Sequence, residues 1–77
     1  MNKERRKRIE GVIERLEELE SEIEDIAGEE QEAYDNLPEG IQYSDGGEAY
    51  QENIDDLENS MDGINDAIET LQGIIER

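Results

Sequence analysis

In the second half of the chain Tyr50, Ile54, Leu57, Met61, Ile64, Ile68, Leu71 and Ile75 follow one another at alternating steps of four and three. Residues three and four apart share one face of an α-helix. Sustained over more than three heptads, this repeat predicts a coiled-coil-like seam. Asp, Glu, Asn and Gln fill most positions between, and Ala67 and Ile74 widen the stripe. The first half repeats the pattern through Ile9, Val12, Leu16, Leu19, Ile23, Ile26, Ala33 and Leu37, with Ile13 and Ala27 beside it. Glu30 is the one acid expected on either seam.

Punctuation falls once, in the middle. Pro38 cannot extend a helix and disfavours helical geometry at Leu37, so Asn36-Leu37-Pro38-Glu39-Gly40 ends the first helix. Asp45-Gly46-Gly47-Glu48 reads as a capping box opening the second. The expected order is a helix at about 9–36, a loop at about 37–46 and a helix at about 47–76, each helix ~45 Å long. Folded antiparallel, the two seams align with position numbers summing to about 84. Ile9 then meets Ile75, Leu16 meets Ile68, Ile23 meets Met61 and Tyr34 meets Tyr50. Ile41 and Tyr43 of the loop are placed to plug the end. The fold class is all-α, an antiparallel helical hairpin.

A single core in 77 residues typically supplies only ~3–5 kcal/mol. The apolar residues beside the seam (Ile13, Ala27, Ala67 and Ile74) point to a second copy packing on the hairpin. A homodimeric four-helix bundle is the expected assembly, a lone hairpin the alternative. The seam residues expected to build core and dimer are Ile9, Val12, Leu16, Leu19, Ile23, Ile26, Ile54, Leu57, Met61, Ile64, Ile68, Leu71 and Ile75.

Charge changes the picture next. From Ile9 to Arg77 the chain has 23 acids and 2 cations, a local balance of −21. Lys3, Arg5, Arg6, Lys7 and Arg8 with Glu4 give residues 1–8 a balance of +4, and the total is −17. Low hydrophobicity with high net charge is by itself a signature of disorder; the heptad periodicity overrides it. The basic segment 1–8 lies at the N-terminus of a helix, where cations are disfavoured, and is expected to be partly frayed.

Candidate chemistry is thin. With no Cys or His, thiolate and imidazole ligands and the commonest general base are missing. The acids lie on the solvent face, where both members of a pair stay ionised, whereas acid–base catalysis needs environments that push two carboxyl groups apart. Ser21, Ser44, Ser60 and Thr70 have no base beside them and no oxyanion turn. The EF-hand spacing is absent. No enzyme activity, cofactor or metal is expected, and the lack of long apolar runs argues against a membrane span. A cytoplasmic location is the expectation. Direct nucleic-acid binding is opposed by the net charge.

One binding mode fits the acids. Spread over ~45 Å, −21 gives one charge per ~2.1 Å, against one per ~1.7 Å in duplex DNA. The outward acids of the second helix, Asp55, Asp56, Glu58, Asp62, Asp66 and Glu69, are the candidate partner-binding residues. The stretch from Glu29 through Tyr34-Asp35-Asn36-Leu37-Pro38-Glu39, followed by an acidic heptad helix, resembles a group of small acidic helical-hairpin proteins of bacteriophages and integrated mobile elements. The resemblance covers about residues 10–75, and the turn is its specific part. It implies a phage context, in which small acidic proteins often bind a host or defence protein and several resemble DNA in charge; it assigns no residue a role. The expected function is a non-enzymatic acidic protein that blocks a basic, nucleic-acid-binding host protein. The alternative is a structural spacer or adaptor acting through Ile41, Tyr43 and the loop, its acids only solvating. A weaker third reading is an oligomer that holds an anionic ligand on Lys3 to Arg8.

Overall fold

In a computed structural model that describes residues 1–77, the chain forms α1 (Lys3–Asp35), a single turn α2 (Glu39–Gln42) and α3 (Asp45–Glu76), with no strand. α1 and α3 pack antiparallel along their length into a rod of 58 × 15 × 12 Å. Its radius of gyration is 17.5 Å, where a compact chain of this length has about 11.5 Å. The helical hairpin read from the heptads is the observed fold.

Two side-chain bridges mark the register. Asn53 Nδ2 donates to Glu30 Oε2 at 2.8 Å, and Gln51 Nε2 donates to the Tyr34 hydroxyl at 3.0 Å. Their position numbers sum to 83 and 85, on either side of the 84 expected from the apolar layers. The two bridges also lie on opposite flanks of the seam, so they distinguish the two long sides of the rod.

On α3 the seam runs as the spacing predicts. Ile54 and Ile68 are buried, Tyr50, Leu57, Met61, Ile64, Leu71 and Ile75 half-buried. On α1 it is displaced. The face against α3 carries Ile9, Ile13, Leu16, Glu20, Ile23, Ala27, Glu30 and Tyr34, all buried or half-buried, again at steps of four and three. Ile13 and Ala27, expected beside the seam, are the most buried residues of α1. Val12, Leu19 and Ile26, expected on it, are 36%, 49% and 45% exposed. The physical reason is rotational: α1 is turned by one row, which a helix with three apolar rows permits because it keeps a continuous seam either way, and in the observed rotation Glu30 and Tyr34 reach Asn53 and Gln51. Glu20 therefore joins Glu30 on the seam, and its Oε2 is buried without a hydrogen-bond partner.

The ends also differ from expectation. α1 begins at Lys3, so the cationic segment is helical instead of frayed. Asn2 caps it, its Oδ1 accepting from the Arg5 N–H at 2.8 Å, and such a cap contributes ~1 kcal/mol, enough to offset an unfavourable dipole interaction of similar size. α3 begins at Asp45 with Ser44 at the cap position, and no side chain caps it; the expected Asp45–Glu48 capping box is not formed because the helix starts one residue earlier, which puts Asp45 inside its first turn, and Ser44 Oγ donates to the Ile41 carbonyl at 2.6 Å. The connection holds the turn α2, whose Gln42 Nε2 donates to the Tyr34 and Asp35 carbonyls at 3.0 and 3.3 Å. That amide supplies a donor to the Asp35 carbonyl and a second one to the Tyr34 carbonyl, which also accepts from the Leu37 N–H. Gly47 is buried where α3 crosses α2, and a Cβ there would overlap the Gln42 carbonyl. Ile41 and Tyr43 do not plug the end: they are 46% and 81% exposed, because the Gln42 amide occupies the space under the turn.

Candidate functional site

Helical geometry sorts the acids into rows seven residues apart, each step ~10.5 Å. On the flank marked by Tyr34 and Gln51, α3 presents Glu48, Asp55, Asp62, Glu69 and Glu76 in one column, with Glu58 nearer the seam. On the same flank α1 presents Glu10, Glu17 and Glu24 in one row, with Glu14 and Asp35 in the next. From Ile9 onward that flank holds eleven acids and no cation. The opposite flank, marked by Glu30 and Asn53, holds three: Glu22, Glu29 and Asp56. Eleven of the 23 acids from Ile9 onward thus share one flank against three on the other, an asymmetry that the linear sequence hides; Glu18, Asp25, Glu32, Glu52 and Asp66 lie on the outward faces of the two helices.

Of the six expected binding residues, Asp55, Glu58, Asp62 and Glu69 share the acidic flank. Asp66 points straight away from the seam, and Asp56 lies on the other side. All six are exposed. The α1 acids of the flank, with Glu48 and Glu76, belong to the same surface and were missed by a reading confined to one helix. Their signal is the row itself: every seventh residue from Glu48 to Glu76 is acidic.

A shallow groove crosses this flank between Gln31, Tyr34, Gln51, Ile54, Asp55 and Glu58. Tyr34 and Ile54 lie there among two amides and two carboxylates, a surface that suits cationic side chains with aliphatic stems. Glu30, the seam acid, accepts the Asn53 amide and so serves register. No group of three or more acids converges closely enough to hold a metal ion, and no helix is long and apolar enough to cross a membrane.

Electrostatically the rod is dense. Setting aside ~9 Å for the six residues Lys3–Arg8, −21 charges lie along the rest of the 58 Å length, about one per 2.3 Å. That falls between the spacing of a single DNA strand, ~3.4 Å, and that of the duplex, ~1.7 Å. Comparison with known protein families, with characterised proteins and with solved structures gave no match.

Proposed function

We propose that this chain is a non-enzymatic binding protein, of phage or mobile-element origin, whose acidic flank occupies the nucleic-acid groove of a basic host or defence protein. The observation that carries the reading is the segregation of eleven acids, without a cation, onto one flank from Ile9 onward. Solvation alone requires no such sorting, since a soluble rod is served as well by acids spread evenly and mixed with Lys. A stiff helical pair holds its carboxylates at fixed spacing, so little conformational entropy is lost on docking. Release of counterions from both surfaces supplies a salt-dependent drive.

The test is capture from a bacterial lysate at low and high salt, using the parent chain and two variants. Neutralising Asp55, Glu58, Asp62 and Glu69 with Asn or Gln should abolish capture of basic proteins. Neutralising Asp56 and Asp66 should leave it largely intact. Recovery of only salt-insensitive partners, or equal capture by both variants, would overturn the electrostatic mechanism.

Tyr43, 81% exposed at the tip beside the half-exposed Ile41, favours a second reading, a spacer that contacts its partner end-on. In that case Tyr43→Ser together with Ile41→Ser would remove binding, and neutralising the acidic flank would not.

A further inference from the structure

Next to the seam, the flank opposite the acids is uncharged and carries an apolar stripe. α1 presents Val12, Leu19 and Ile26 there, each more than a third exposed, and α3 presents Ala67 and Ile74 at the matching levels. The two rows nearest the seam on this flank, Val12 to Ala33 and Asn53 to Ile74 in steps of seven, hold no charged residue in a chain that is 40% charged. The hairpin places Glu20 and Ala27 on its own seam and leaves the larger Leu19 and Ile26 outside. For a solitary hairpin that is the poorer choice.

We propose that a second copy of this chain covers this flank, with α1 packed antiparallel on the α1 of the partner about a two-fold axis at Leu19. The charges beside the stripe fix the direction. One row outward from Val12, Leu19 and Ile26 lie Arg8, Arg15, Glu22 and Glu29, all exposed, two cations followed by two acids. An antiparallel two-fold at Leu19 sets Arg8 opposite Glu29 of the other copy and Arg15 opposite Glu22, four ion pairs by symmetry. Arg15 is the only cation between Ile9 and Glu76, and this arrangement gives it a partner. Neither guanidinium is engaged in a hydrogen bond within its own chain. A groove whose lining includes Arg5, Arg8, Val12, Glu14 and Arg15 opens at this end of the rod, and Glu29 of the other copy lies beside its Arg8. A parallel pairing would instead set cation on cation. A pairing of α1 on the partner's α3 would bring Glu29 against Asp56 and Arg8 against Arg77. The two acidic flanks face away from each other in the dimer, so this surface is independent of the one used under the proposed function.

The chain has no native cysteine, so single-cysteine variants report the geometry directly. Under mild oxidation Leu19→Cys should crosslink with itself. Val12→Cys should not, its two copies lying ~21 Å apart along the axis, whereas a mixture of Val12→Cys and Ile26→Cys should crosslink heterologously. In sedimentation equilibrium Glu22→Arg should weaken the dimer about tenfold, and the exchange Arg15→Glu with Glu22→Arg should restore it, because these residues are too far apart to pair within one helix. A monomer in sedimentation for the parent chain would overturn the proposal. So would self-crosslinking of Val12→Cys, crosslinking of Leu19→Cys to Ala67→Cys in preference to itself, or failure of the exchange to restore association.

Discussion

The amide of Asn53 donates to the carboxylate of Glu30 at 2.8 Å, across 23 residues of chain. This single contact explains an acid at a seam position, because a neutral partner on the facing helix satisfies it. Asn53→Asp would set two carboxylates against each other and should lower stability by ~1 kcal/mol. Adding Glu30→Gln should restore most of the loss. Thermal melts of the two single variants and the double variant measure the coupling; additive losses would show that the contact contributes nothing.

Glu20 is the opposite case. Its Oε2 is buried with no partner, and a buried unsatisfied group costs ~1–3 kcal/mol. Glu20→Leu should therefore stabilise the hairpin by at least 1 kcal/mol, read as a higher midpoint in urea with an unchanged slope. A lower midpoint would place the Glu20 carboxylate in water.

Glycine supplies a paired comparison. At Gly28 and Gly73 an added Cβ would meet nothing within 4 Å, and no glycine has a positive φ. Gly28→Ala and Gly73→Ala should each stabilise by ~0.5–1 kcal/mol through helix propensity. Gly47→Ala should do the reverse, by ~1–3 kcal/mol, because its Cβ would overlap the Gln42 carbonyl. Melting temperatures of the three variants make the comparison.

The α3 seam, the register and the turn were legible in the sequence because each rests on one strong signal: an unbroken row of large apolar residues, two aligned seams, a proline. The rotation of α1 was not. Its three apolar rows, led by Ile9, Val12 and Ile13, support two rotations, and aliphatic size favours the row of Val12, Leu19 and Ile26. The observed rotation is the one in which Glu30 and Tyr34 reach Asn53 and Gln51 on the other helix, a pairing that a heptad read on α1 alone does not contain. The acidic flank was half legible for the same reason. A heptad read on α3 alone finds Asp55, Asp62 and Glu69, but the contribution of Glu10, Glu17 and Glu24 exists only once the two helices are placed side by side.

Salt tests the balance of forces in the whole rod. Acids in a row are spaced ~10.5 Å apart, between the ~30 Å screening length at 0.01 M salt and ~8 Å at 0.15 M. Repulsion along the flank is therefore felt at the lower concentration and largely screened at the higher. The melting temperature should rise by several degrees between the two. A fall would show that ion pairs outweigh repulsion in the folded form.

The antiparallel pairing of α1 and α3 also makes the molecule an oriented electrical object. Two opposed helices of nearly equal length, 33 and 32 residues, cancel each other's macrodipoles. What survives is the lopsided placement of side-chain charge: +4 at the base and −21 along the rest of a 58 Å rod. A free protomer therefore carries a large permanent moment along its axis and experiences a torque in the field of any charged body. A cationic surface turns it tip first, Tyr43 leading and Lys3 to Arg8 trailing; a polyanion turns it the other way. Two copies related by a two-fold across the rod point their moments in opposite directions, and the pair meets a partner broadside.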